Sequence, residues 1–236
     1  MRVSSSPPSR TAALALALVG AHVTLAVLGS AAAADEAILP LPDYRSETGR
    51  RLAEKYATTL REFDQSVARC LPWVEVEKHT IGFFKPKHVP RDERYVSIRA
   101  FVGRDASAKI AALDFRERAA AMFARYAGPL LRWMGADRSL LQDADVHGFA
   151  IILDWTKPAP VGAGVRPVRE TIAVFIERPL AAEYLQGGLP PSALVTRAAV
   201  FGFDGDTPVG QVRLLAVADH LLSVPGTACS DAHSRR

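Results

Sequence analysis

Apolar residues recur every three or four positions after Asp43, which is the spacing of one face of an α-helix. Charged residues separate the members of this stripe, which are Leu52, Tyr56, Leu60, Phe63, Val67 and Cys70. Pro72 interrupts the pattern. The sequence therefore predicts a first helix that is capped by Asp43, ends before Pro72 and packs its apolar stripe against the rest of the protein.

An alternation with a period of two begins at "RYVSIRAFV" and is typical of a strand with one buried face. Ser97 and Arg99 would point to one side of this strand and the apolar residues to the other. A shorter alternation at Val74 and Val76 predicts an exposed strand earlier in the chain. Residues 106–134 predict a second, longer helix that packs on both sides, with a kink or break at Pro129.

The last third of the chain predicts mostly β-structure. Residues 146–156 and 169–177 are apolar runs rich in β-branched and aromatic side chains. Residues 180–188 predict a short helix with a glycine stop, and residues 195–203 and 209–217 predict two strands around the turn "DGDTP". This arrangement favours a single α+β domain, in which a mainly antiparallel sheet packs against two longer helices.

The first 34 residues have the pattern of a secretory signal peptide. Two arginines precede a long uncharged run rich in Leu, Val and Ala, and an A-x-A pattern ends at Ala34. We expect cleavage after Ala34. A retained membrane anchor is the alternative, because the uncharged run is long enough to span a bilayer. No other stretch predicts a membrane span.

The expected mature chain is nearly neutral. Loss of Arg2 and Arg10 with the signal peptide lowers the formal net charge from +4 to +2. This balance gives no basic stripe for nucleic acid. The segment "GAGV" lacks the lysine and the following helix of a phosphate-binding loop, so we expect no cofactor. The remaining length fits one domain over residues 35–228, followed by a tail over residues 229–236.

The chain has two cysteines, Cys70 and Cys229. Outside the cytosol an isolated pair is more often oxidised than free. Cys70 also lies on the helix stripe that faces the body of the protein. We therefore predict a disulfide between the end of the first helix and the C-terminal tail. Two free thiols, or pairing between chains, are the alternative.

Asp143, Asp145 and His147 alternate just ahead of the most apolar strand and are candidate metal ligands. His147 is also a candidate catalytic residue. If all three lay within the strand, two carboxylates would be in line with a large apolar face, where unpaired charge is costly to bury. We therefore expect the strand to begin at Val146, with both aspartates in a solvated turn, His147 at the rim and no metal site.

Asp154 is the other candidate catalytic residue. It would share a strand face with Gly148 and Ala150, which are small enough to let a helix approach closely. A buried carboxylate needs a partner, and Arg169 or Arg178 near the next strand could supply one. We expect a structural ion pair or a solvated strand end, and acid/base chemistry is the alternative.

Two further features bear on binding. The sequence Asp204-Gly205-Asp206 favours a tight turn over a calcium site, because the twelve-residue loop with its terminal Glu is absent. The loops over residues 85–93 and 157–167 are expected binding surfaces, because long loops are often functional.

The sequence assigns no reaction, since it contains no H-x-x-x-H, H-E-x-x-H or G-x-S-x-G motif. We expect an exported protein of a bacterial type, periplasmic or secreted, that binds rather than catalyses in the cell envelope. An envelope protein, a glycan or a small apolar ligand would be its partner. The alternatives are a hydrolase that uses Asp154 with Asp143, Asp145 or His147, and an accessory protein anchored by a retained N-terminal helix.

Overall fold

The computed structural model describes residues 36–87, 91–103, 110, 112–157, 167–215 and 229. These residues form an α+β fold in which helices cover one face of an open, mostly antiparallel sheet of seven strands. The predicted signal peptide, the start of the second helix, most of the loop over residues 157–167 and the tail beyond Cys229 lie outside the described residues.

The first helix is divided into α1, over Glu47–Lys55, and α2, over Ala57–Cys70. The prediction that Asp43 caps this helix is wrong, because Asp43 ends a 3-10 turn over Leu41–Asp43. Ser46 caps α1 instead, and its side chain accepts a 3.1 Å hydrogen bond from an amide in the first turn. The apolar stripe is confirmed, since each of its six residues is at most 2% exposed.

The second helical region changes its winding ahead of Pro129. Helix α3, over Phe115–Met122, begins with a capping box at Asp114, so the prediction of one helix over residues 106–134 is wrong at residues 112–114. A π-helical turn over Phe123–Ala127 then leads into α4, over Gly128–Met134. Proline lacks an amide hydrogen and its ring collides with the carbonyl four residues earlier, and a wider turn accommodates both effects. The predicted irregularity at Pro129 therefore takes the form of a π-helical turn.

The strands of the sheet are β1 (Val74–Val76), β2 (Gly82–Phe84), β3 (Arg94–Val102), β4 (Val146–Thr156), β5 (Arg169–Glu177), β6 (Ala199–Asp204) and β7 (Thr207–Gln211). Their order is β1-β3-β4-β5-β6-β7. β1 and β2 pair with opposite halves of β3 and form one interrupted edge. β3 and β4 are parallel, because the helices between them, including α5 over Arg138–Gln142, carry the chain back to the same end of the sheet.

The strands predicted over residues 94–102, 146–156 and 169–177 are confirmed. The short helix is also confirmed as α6, over Arg178–Leu185, and Gly187 at φ 78° follows it. The strand predicted over residues 209–217 is wrong at residues 212–215, because β7 ends at Gln211. The prediction of a strand is also wrong at residues 195–197, which belong to helix α7, over Pro191–Arg197. Proline at the first helical position favours this helix start, a signal that the apolar pattern did not contain.

The two faces of the sheet differ in their cover. Phe149, Ile151, Leu153 and Trp155 of β4 are at most 1% exposed and join one core with side chains from every described helix. The opposite face, which we name the open face, carries no helix within the described residues. The open face consists of Tyr95, Ser97, Arg99, Phe101, Gly148, Ala150, Ile152, Asp154, Thr171, Ala173, Phe175, Phe201 and Phe203.

A buried ion pair lies in the core beneath the covered face. Glu170 of β5 is fully buried, and its two oxygens accept hydrogen bonds from Nε and Nη2 of Arg118 at 2.7 and 2.6 Å. Trp155 Nε1 donates a further 2.7 Å hydrogen bond to Glu170. These contacts tie α3 to β4 and β5.

A disulfide joins Cys70, at the end of α2, to Cys229, 159 residues later in the chain. The predicted pairing is therefore present. Among the described helices, none combines the length and the apolar character that a membrane crossing requires.

Candidate functional site

Asp143 is a structural hydrogen-bond acceptor. Its side chain is 7% exposed, and Oδ2 accepts hydrogen bonds from Lys55 Nζ at 2.8 Å and from the Tyr56 hydroxyl at 3.0 Å. Burial alone would raise the pKa of Asp143, but hydrogen bonds from Lys55, the Asp145 amide and Tyr56 outweigh burial and lower that pKa below its ordinary value. The prediction of a solvated turn is therefore wrong for Asp143, which connects the first helix to the start of β4.

Asp145 and His147 have separate partners. Asp145, whose side chain is 46% exposed, forms an ion pair with Arg51 of α1. β4 begins at Val146, as predicted. His147 is half-buried at the rim, with Nε2 4.0 Å from Glu93 Oε1. No three His, Cys, Asp or Glu side chains in the described parts of the chain are grouped to hold a metal ion.

Asp204, Gly205 and Asp206 form the turn between β6 and β7. Asp204 ends β6 and accepts a 2.6 Å hydrogen bond from Lys157 Nζ. Gly205 has φ 60°, a conformation that glycine adopts without a steric penalty. The predicted tight turn is confirmed.

Asp154 is buried on the open face and has two partners. Its side chain is 2% exposed, Oδ2 accepts from Arg99 Nε at 2.6 Å, and Oδ1 accepts from Thr171 Oγ1 at 2.5 Å. The hydrogen bond to Asp154 raises the pKa of Arg99 above its ordinary value. The prediction that Arg169 or Arg178 pairs with Asp154 is wrong. The partner is Arg99 of β3, which pairs in parallel with β4 on the side opposite β5.

Asp154 lies far from the other candidate residues. Seven positions of β4 separate it from His147, which at the rise of an extended strand is about 23 Å. Asp143 and Asp145 precede the strand and therefore lie at its His147 end. Asp154 cannot act on the same bond as any of these three residues.

A cavity of about 250 Å³ lies on the open face beside the Arg99–Asp154 pair. The cavity is lined by Glu77, Thr80, Phe84, Lys85, Pro86, Tyr95, Ser97, Arg99, Ala150, Ile152 and Phe175. Ser97 and Ala150 are opposite each other on β3 and β4, and their short side chains leave a depression between larger neighbours. A concave, mostly apolar surface with a few polar groups is the usual form of a small-ligand site.

Aromatic rings support one side of the cavity. Tyr95 and Phe175 pack edge to face, with ring centroids 5.9 Å apart, and Phe175 packs in the same way on Phe201 at 6.0 Å. The Tyr95 ring also lies against Gly148, where a Cβ atom would come within 2.8 Å of it. Burial raises the pKa of the Tyr95 hydroxyl. The wall therefore depends on a glycine that gives one ring room to pack.

Sequence reasoning identified Asp154 but missed the cavity beside it. The prediction that Gly148 and Ala150 leave room for a helix is wrong, because Gly148 leaves room for the Tyr95 ring and Ala150 for the depression. Alternation had already placed Ser97 and Arg99 on one face of a strand. Only the pairing of β3 with β4 brings these side chains together.

The loop predicted as a surface over residues 85–93 contributes Lys85 and Pro86 to the cavity, and residues 158–166 of the second loop lie outside the described chain. Chemically, this arrangement can bury an apolar group and donate hydrogen bonds from a fixed guanidinium. Comparison with protein-family models, with curated proteins and with solved structures finds no match to this chain.

Proposed function

We propose that this chain is an exported, non-catalytic binding protein that holds a small, largely apolar ligand in the open-face cavity. The cavity itself carries the proposal. It combines apolar side chains with a guanidinium fixed by a buried carboxylate, and most of its lining residues belong to strands of the sheet. Such a platform binds without first paying the entropy of ordering a loop.

Two features support export of the protein. The N-terminal segment has the basic start, uncharged middle and small-residue end of a signal peptide. The Cys70–Cys229 disulfide is of the kind that persists in oxidising compartments such as the periplasm or the extracellular medium. A retained N-terminal segment would hold the same cavity at a membrane surface.

Binding is favoured over hydrolysis because Asp154, the candidate acid, already accepts hydrogen bonds from structural partners. Both oxygens of Asp154 accept hydrogen bonds, and the carboxylate is almost fully buried. Its distance from Asp143, Asp145 and His147 also leaves it without a second acid or base from that group. An ion pair that fixes Arg99 is the role that these contacts support.

Filling the cavity is expected to abolish binding of a neutral apolar probe. Ala150 lies in the depression, so Ala150→Phe places a ring where the ligand would lie, on a face that carries no helix in the described part of the chain. N-phenyl-1-naphthylamine, whose fluorescence rises in apolar surroundings, is expected to bind the native protein with one-to-one stoichiometry. Its affinity is expected to fall at least about tenfold in Ala150→Phe, because the buried apolar contact is lost.

Ala173→Phe is the matched control, because Ala173 lies on the open face of the neighbouring strand but does not line the cavity. This variant is expected to bind the probe like the native protein. Circular dichroism verifies that both variants fold. Equal affinity of the two folded variants would contradict the proposal, as would a native protein that does not bind the probe.

A further inference from the structure

One edge of the Arg99 guanidinium is fixed by Asp154. Nε lies 2.6 Å from Oδ2, and Nη2 lies 3.3 Å from Oδ1. The Thr171 hydroxyl holds the same carboxylate from β5 at 2.5 Å. The guanidinium therefore has a set orientation at the polar side of the cavity.

The end edge of the Arg99 guanidinium remains available. A guanidinium has five N–H groups, and Asp154 accepts from two of them. One hydrogen of Nη1 and the second hydrogen of Nη2 lie side by side on the end edge of the guanidinium, and Nη1 has no hydrogen-bond partner among the described residues. The Arg99 side chain is 39% exposed. Two parallel N–H groups at a guanidinium edge match the two oxygens of a carboxylate.

The charges that a ligand can reach favour an anion. Arg99 and Lys85 are cations in the lining, and Glu77 is the acid there. Asp154 is closed off by burial, and Glu77, whose side chain is 55% exposed, already pairs with Arg99, with its Oε2 3.1 Å from Arg99 Nε. The reachable lining therefore has more positive than negative charge, next to the apolar surface of Ile152 and Phe175.

We propose that the ligand of this cavity is a small carboxylate with an apolar body. Its carboxylate accepts hydrogen bonds from the free edge of Arg99, with Lys85 adding positive charge, and its apolar body lies against Ile152 and Phe175. This inference rests on the proposed function, because it names the chemical class of the ligand in the same cavity.

Competition between two ligands of matched length tests the carboxylate. Octanoate and octanamide have similar size, but only octanoate is charged at neutral pH. We expect octanoate to displace N-phenyl-1-naphthylamine from the native protein at a concentration at least about tenfold lower than octanamide, because hydrogen bonds to a charged group are the stronger ones. Arg99→Lys keeps a cation beside Asp154 but loses the flat edge, and it is expected to reduce this preference severalfold.

Arg169→Lys is the matched control, since Arg169 lies over the Phe101 ring at 4.5 Å and does not line the cavity. This variant is expected to keep the full preference for octanoate. Equal displacement by octanoate and octanamide, with the probe still bound in the cavity, would overturn the carboxylate proposal and leave the proposed function standing. If calorimetry detects no binding of the probe, octanoate or octanamide, both proposals fail.

Discussion

Replacing Glu170 with alanine is expected to lower the free energy of unfolding by about 3–5 kcal/mol. The substitution leaves the Arg118 guanidinium buried without its bidentate partner and removes the acceptor of Trp155 Nε1. An unpaired charge in the core has neither water nor a counter-ion to stabilise it. Because the free energy of unfolding of a whole domain is only about 5–15 kcal/mol, this single substitution removes a large fraction of the protein's stability. Urea unfolding followed by circular dichroism measures the effect.

Glu183→Ala is the control for this prediction. Glu183 also pairs with an arginine, Arg197 at 2.8 Å, but both side chains are about half exposed. Water competes for such a pair, so the expected change is at most about 1 kcal/mol. Similar losses in the two variants would show that burial of the Arg118–Glu170 pair does not matter, and would contradict the description of the core.

Removing the disulfide is expected to lower the free energy of unfolding by about 2–5 kcal/mol. The bond closes a loop with a sequence separation of 159 residues, and breaking it gives the unfolded chain more conformations. The double variant Cys70→Ala with Cys229→Ala tests this by urea unfolding. Reductant is expected to destabilise the native protein in the same direction and to leave the double variant unchanged.

The mass of the native protein is measured alongside the unfolding experiment, on material recovered from the cell envelope without reductant. Export and cleavage predict a chain that starts at Asp35 and lacks the two thiol hydrogens. A retained anchor predicts the full-length mass with the same oxidised cysteines. Full-length protein in the cytosol with two alkylatable thiols would remove the basis for export.

The parts of the fold that depend on the local spacing of apolar residues could be predicted from the sequence. The strands that include Ile98, Ile151 and Val174 were predictable, because each alternates or runs apolar over a length that suits a strand. The helix over Pro191–Arg197 was not, because its residues include β-branched ones and its start depends on proline. The break at Tyr56 also has no local signal, since the apolar stripe continues through it.

The candidate site was less predictable because it depends on which strands are neighbours. Asp154 could be recognised as a carboxylate in need of a partner. Its partner Arg99 lies 55 positions earlier, and only the parallel pairing of β3 with β4 brings the two together. The same holds for the cavity, whose depression forms where Ser97 meets Ala150 across two strands. Local patterns contain no information about such pairings.

The central claim is that a ligand binds the open face of the sheet and not the covered face. The methyl groups of consecutive residues in β4 test this claim directly. Nuclear Overhauser effects between bound N-phenyl-1-naphthylamine and protein methyl groups report contacts at short range. We expect contacts from the probe to the methyls of Ala150 and Ile152, which line the cavity, and none to Ile151 and Leu153, which point into the core. Contacts to Ile151 and Leu153, or a bound probe that contacts none of these four residues, would contradict the account.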